Sequence, residues 1–216
     1  MGIYYNRGQV GAQLCKENAM IDHAAAHQEA ASERAMFGFW VYLMTDLLMF
    51  AVLFAVYAVL QGNTFGGPSG RELFSLNLAL QGTLILLASS FTCGIGMIAA
   101  RRGNKNQVLV WFGITFMLGL AFLGLEMKEF KELIHEGYTL RTNAFLSSFF
   151  TLVGTHGLHI TVGLIWLADL FVRIAHRGIT AVTVKRLTLF SMFWHFLDII
   201  WIFIFTIVYL LGVAKL

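Results

Sequence analysis

Charge is scarce in this chain: only 12% of its 216 residues are Asp, Glu, Lys or Arg. Soluble domains carry about 25% charge, and their surfaces need it to face water. A soluble fold is therefore excluded. Proline is almost absent, and the one copy, Pro68, lies in a Gly-rich stretch. No apolar run is interrupted by proline, so the broken helices that bind ions in transporters are not signalled. There are two cysteines. Cys15 lies in a polar tail and Cys93 in an apolar run, which excludes a disulfide between them. The first 35 residues lack an apolar core, so no cleavable signal peptide is expected. No internal repeat is seen. No basic patch interleaves with aromatics, which argues against a nucleic-acid partner.

What the chain has instead is apolar length. Apolar residues make up 58% of the sequence, and they come in long runs. About 20 such residues span a bilayer core roughly 30 Å thick. Five spans are predicted: Phe37–Leu60, Phe74–Ala100, Val108–Ile134, Ala144–Val172 and Leu187–Val213. The expected fold is an all-α integral membrane bundle of five transmembrane helices, residues 37–216, preceded by a polar tail, residues 1–36. QGNTFGGPSGRE joins the first two spans. RRGNKNQ, HEGYTLRTN and RIAHRGITAVTVKR join the others. Short loops make successive helices antiparallel neighbours.

Loop charge sets the expected orientation, because Lys and Arg concentrate on the cytoplasmic side. One side holds ten: Arg7, Lys16 and Arg34 in the tail, Arg101, Arg102 and Lys105, then Arg173, Arg177, Lys185 and Arg186. The other side holds three, Arg71, Arg141 and Lys215. The N-terminus is thus predicted in the cytoplasm and the C-terminus outside. Lys128 and Lys131 near the outer end of the third span can snorkel to water. The tail segment AMIDHAAAHQEAASER is helix-prone and solvated. Its His23 and His27 stand four apart, a spacing that leaves metal binding as the alternative.

An ionisable side chain inside a bilayer costs several kcal/mol unless it has a partner, so each one needs a reason. Asp46 lies in the first span, Glu126 and Glu129 in the third, His156 and His159 in the fourth, His195 and Asp198 in the fifth. Each pair is three apart and shares a helix face. Asp169 is explained by Arg173 one turn on. At about 1.5 Å of rise per residue, Glu126 and His156 lie at one depth, roughly 28 and 25 Å from the cytoplasmic ends. Asp198, Asp46 and His195 lie at roughly 16, 15 and 12 Å, with His159 between the two levels. Asp46 has no basic partner on its own helix, and a buried carboxyl without a cation stays protonated.

Three accounts of these residues remain open. In the first, they are structural glue, pairing between helices and fixing register. In the second, Glu126, Glu129, His156 and His159 form a di-metal centre, and the chain is a self-contained membrane enzyme. The di-iron pattern, however, wants Glu-x-x-His on one helix. In the third, they relay protons in a stand-alone proton or ion transporter. The remaining signals concern packing. Gly94, Gly96, Gly154, Gly157 and Gly163 permit close helix approach. Phe37, Phe39, Trp40, Trp166, Trp194 and Trp201 are expected mostly at the lipid or the interface. Phe149, Phe150 and Phe193 are expected to pack against neighbours.

Four segments carry a resemblance: FGFWVYLMTDLLMFAVLFAVYAVL with NTFGGPSG, FLGLEMKEF, VGTHGLHITVGLIW and LFSMFWHFLDIIWIFIFTIVYLLG. In this order they resemble subunit III of the haem–copper respiratory oxidases, over everything but the tail. The likeness is greatest to the five-helix form found in bo-type ubiquinol oxidases. Mitochondrial-type members carry Glu where this chain has Asp46. The resemblance implies two groups of helices with a cleft that can hold phospholipid. It implies lateral docking on catalytic subunit I and a place in the bacterial inner membrane. Haems, copper and the quinol site are expected in subunit I, so no catalytic, cofactor or metal residue is expected here. The implied role is support of assembly, stability and proton uptake in a complex that oxidises ubiquinol and reduces oxygen to water.

Overall fold

A computed structural model describes residues 5–62, 76–138 and 143–214. The turn holding Pro68, the basic residues Arg71, Arg141 and Lys215, and the side chains of Arg7, Cys15, His23 and His27 lie outside the described residues. Among the described residues every regular element is helical. The helices are α1 (Tyr5–Leu60), α2 (Leu76–Arg101), α3 (Lys105–His135), α4 (Ala144–Arg177) and α5 (Ala181–Ile204). A π-helical turn, Phe205–Leu210, follows α5, and a last short α6 covers Leu211–Ala214. Among the described residues five helical stretches are long and apolar enough to cross a membrane.

The chain divides into two compact units, Met1–Tyr42 and Leu43–Leu216. In the first, the Phe39 and Tyr42 rings contact each other at 5.9 Å. Trp40 is half exposed.

In the second unit, α2 packs most extensively along α3, and α5 touches both α2 and α4. The helices outrun the apolar runs that define them. The stretch RIAHRGITAVTVKR, expected as a loop, is helical up to Arg177 and again from Ala181. Backbone hydrogen bonding does not stop where hydropathy does, and Ala, Arg and Lys favour helix. The breaks fall where capping chemistry dictates. Gly178 ends α4 with φ +72°, a conformation that suits a residue without Cβ. The Thr180 hydroxyl then accepts from Thr183 N at 3.2 Å and starts α5. Asn143 does the same for α4, accepting from Leu146 N at 2.7 Å.

The core of this unit is largely aromatic. Trp194, Phe122, Phe149, Phe190 and Tyr209 are all fully buried. Two expectations are corrected here. Trp194 and Trp201 do not face lipid: they are 0% and 2% exposed. Their indole N–H groups explain this, since each has a hydroxyl to donate to inside the protein. Trp194 Nε1 donates to Ser89 Oγ and Trp201 Nε1 to Thr83 Oγ1, both at 3.0 Å. Gly94 touches nothing that a side chain would meet. Close approach occurs at Gly96, Gly157 and Gly163, as expected, and also at Gly119, with Gly82 nearly as tight, whereas Gly154 makes only ordinary contact.

Candidate functional site

The ionisable residues of the spans fall into two groups. The first is built on α1 and α4. Asp46 is buried, and its Oδ1 lies 3.2 Å from His159 Nε2. The other ring nitrogen, His159 Nδ1, is 2.7 Å from the Thr155 carbonyl. A carbonyl only accepts, so Nδ1 carries a proton. The contact with Asp46 then needs one further proton, held by the carboxyl or by Nε2. Asp46 thus has a basic partner after all, on α4, where a search along its own helix could not find it. His159 is part-exposed; Phe50 packs against it at 5.4 Å.

His156, three residues earlier, is completely buried. Its ring stacks on Trp201 at 5.2 Å and meets the edge geometry of Phe122 at 5.9 Å. Neither ring nitrogen has a hydrogen-bond partner among the described residues.

The second group sits between α2, α3, α4 and the end of α5. Glu126 and Glu129 are 4% and 6% exposed. Glu126 reaches the level of His156, as the depth count anticipates: a Cβ on Gly157 would fall 2.7 Å from its Oε2. No hydrogen bond joins Glu126 to His156, because Glu126 Oε1 and both His156 nitrogens are unpartnered among the described residues. Glu129 Oε2 accepts from the Tyr209 hydroxyl at 2.9 Å.

The lower depth match does not become a cluster. His195 is only half-buried, and its Nδ1 donates back to the Ser191 carbonyl at 2.6 Å. Asp198 is buried, and neither of its oxygens has a hydrogen-bond partner among the described residues. Asp169 pairs with Arg173 at 2.7 Å on an exposed face. Cys93 is a buried free thiol.

Glu126, Glu129, His156 and His159 therefore do not converge. Among the described residues no three His, Cys, Asp or Glu side chains are grouped as metal ligands would be. What the arrangement offers chemically is proton holding and helix registration.

Face counting over acids and imidazoles alone missed Tyr209, Trp194, Trp201, Ser89 and Thr83. Part of the signal was there. Trp194 and Trp201 stand four before and three after Asp198, on its face. Tyr209 lies in the π-helical turn, whose wider period defeats a count made at 3.6 residues per turn.

Comparison with known proteins agrees in extent with this fold. The family model described as cytochrome c oxidase subunit III matches residues 12–213. The cytochrome bo(3) ubiquinol oxidase subunit 3 of Pseudomonas aeruginosa is 52% identical over 88% of this chain and 90% of its own length. The quinol oxidase subunit 3 of Bacillus subtilis is 43% identical over 93% of this chain and all of its own. The cytochrome c oxidase subunit 3 of Bacillus sp. strain PS3 is 44% identical over 82% and 86%. With almost its whole length matched, and with helices of membrane-crossing length in the expected number, the chain belongs to the cytochrome c oxidase subunit III family.

Proposed function

We propose that the chain is the third, non-catalytic subunit of a bacterial terminal quinol oxidase in the cytoplasmic membrane. The observation that carries this is the near full-length match to subunits named for ubiquinol and quinol oxidases. The dispersed acids and imidazoles support it, since they read as pairs and orphans rather than as a redox centre. Neither a self-contained di-metal enzyme nor a stand-alone transporter draws comparable support. In this reading subunit I holds the haems and copper, oxidises the quinol, reduces oxygen to water and moves protons. This chain docks on subunit I, supports assembly and stability, and helps to keep proton uptake fast. A relative named for cytochrome c oxidase is nearly as similar, which fits a donor chosen by other subunits.

The seven residues Asp46, Glu126, Glu129, His156, His159, His195 and Asp198 are assigned structural roles. The N-terminus is assigned to the cytoplasm on the strength of the ten-to-three loop bias. By the start of the first apolar run, residues 1–36 are assigned to the tail and 37–216 to the membrane domain. A phospholipid chain is the proposed occupant of an apolar groove of about 760 Å³ between α3 and α4, lined by Leu109, Gly113, Met117, Ala168 and Phe171.

The test is purification in mild detergent together with a deletion strain. A haem-bearing subunit is expected to co-purify, and the deletion is expected to lower oxidase assembly or turnover. Normal quinol oxidase in the deletion strain, with no haem protein in the preparation, overturns the reading.

A further inference from the structure

Glu126 and Glu129 line a small recess walled by Ala79 and Gly82 of α2, Phe122 of α3 and Trp201 of α5. About 10 Å³ of it is open to the centre of a water-sized sphere. That is close to the smallest space that accommodates one water. Both carboxyls are more than nine-tenths buried. The Oε1 atom of each has no hydrogen-bond partner among the described residues. Two other polar groups nearby are committed, Trp201 N–H to Thr83 and the Tyr209 hydroxyl to Glu129 Oε2; the unpartnered His156 ring packs against Trp201 and Phe122 and is not among the lining residues. Two residues that line this otherwise apolar recess thus each have one orphaned carboxyl oxygen.

We propose that the recess is a hydration site in which one water bridges Glu126 Oε1 and Glu129 Oε1. Two polar partners are the minimum that holds an internal water. Water suits this pair because it both donates and accepts. An ionised carboxyl oxygen only accepts, whereas a protonated one donates, and a bridging water serves either state. Leaving two such oxygens unsatisfied in an apolar surrounding is costly, and the water removes that cost at both together. A metal ion is the weaker occupant, because the described residues supply no third acidic, thiol or imidazole ligand. Gly157 shapes the site from the far side. Without a Cβ it lets Glu126 Oε2 rest against α4. The result is one hydrogen-bonded chain, Tyr209–Glu129–water–Glu126, running from the π-helical turn along α3. The inference concerns this chain alone and does not depend on which complex it joins.

A high-resolution cryo-electron microscopy map of the chain, in the assembly it is isolated with, tests this directly. One density peak is expected within about 2.6–3.2 Å of both Oε1 atoms. No peak where other internal waters are visible, a direct bond between the carboxyls, or an acyl chain in the recess would each overturn it. A stability cycle supplies a second test. Ala79→Val fills the recess and is expected to reduce several-fold the chain that survives heating in nanodiscs. In an E126M background, with one oxygen pair gone, the same substitution is expected to have little effect. Equal losses in both backgrounds would mean crowding alone and would sink the proposal.

Discussion

Two polar regions in the second unit obey opposite rules. Between α2 and α5, indoles meet hydroxyls. Trp201 donates to Thr83, which donates to the Ala79 carbonyl of its own helix at 2.9 Å. Trp194 donates to Ser89, which donates to the Leu86 carbonyl at 2.8 Å. Each hydroxyl accepts across the helix pair and donates within its own helix, so both chains close on themselves. Around α3, α4 and the end of α5, carboxyls and imidazoles meet aromatics, and several of their atoms find nothing among the described residues. The difference is chemical. A Ser or Thr hydroxyl on a helix can give its proton to a carbonyl three or four residues back, as Thr83 and Ser89 do, although Ser90 Oγ on the same helix has no partner among the described residues. An ionised carboxyl oxygen only accepts, so it has no proton to give its own helix and depends on donors from elsewhere. The closed region should therefore be rigid, and the open one should yield.

The largest effect should come from crowding the rigid region. A Cβ on Gly119 would lie 2.9 Å from both Leu164 Cδ2 and Trp194 Cη2. Trp194 is fully buried and held by its bond to Ser89. Gly119→Ala is expected to destabilise the bundle by about 3 kcal/mol, the upper end for overpacking. Gly157→Ala presses instead on the tip of Glu126, which can move, and about 1 kcal/mol is expected. Unfolding of reconstituted variants in mixed micelles checks the gap. If Gly157→Ala proves as costly as Gly119→Ala, the acids are as firmly held as the indoles and the contrast fails.

Deleting one hydroxyl from each region sharpens the comparison. Tyr209→Phe strips Glu129 Oε2 of its donor. A bond to a carboxyl is worth about 1.5–3 kcal/mol when the acceptor carries charge, so about 2 kcal/mol is expected. Thr83→Val removes the acceptor of the Trp201 N–H while keeping shape, and about 1 kcal/mol is expected for a neutral pair. The same unfolding measurement orders the two. A larger loss for Thr83→Val would place the stability of this unit in the indole chain rather than in the acids.

How much of this was legible in the sequence follows from the same chemistry. The spans were legible because lipid forces apolar residues into runs, and the ionisable residues stood out against them. The Asp169–Arg173 pair was legible because both partners lie on one helix, four residues apart. Asp46–His159 was not, since depth counting has an error of about a turn and no rotational information between helices. It set Asp46 level with His195 and Asp198, while the actual partner, His159, was placed between the two levels. Trp194 and Trp201 were misplaced for a related reason. Tryptophan favours the membrane interface on average, and only the hydroxyls on a different helix show that these two belong inside. Helix ends were misjudged wherever polar residues continued the helix past the apolar run, as at Arg173–Arg177.

The smallest effect is expected at Asp46, and it isolates the proton that the geometry demands. With Nδ1 of His159 donating to Thr155 O, a neutral ring presents a lone pair at Nε2. An asparagine amide can donate to that lone pair, so Asp46→Asn keeps the contact and should change stability by only a few tenths of a kcal/mol. Asp46→Leu cannot donate and leaves Nε2 unpaired beside Phe50, with an expected loss of about 1–2 kcal/mol. Nitrogen chemical shifts of labelled His159 read the proton directly. In Asp46→Asn the ring should be neutral with its proton on Nδ1. If Asn destabilises as much as Leu, the native contact depends on charge, and the pair is an imidazolium bound to a carboxylate rather than a neutral hydrogen bond.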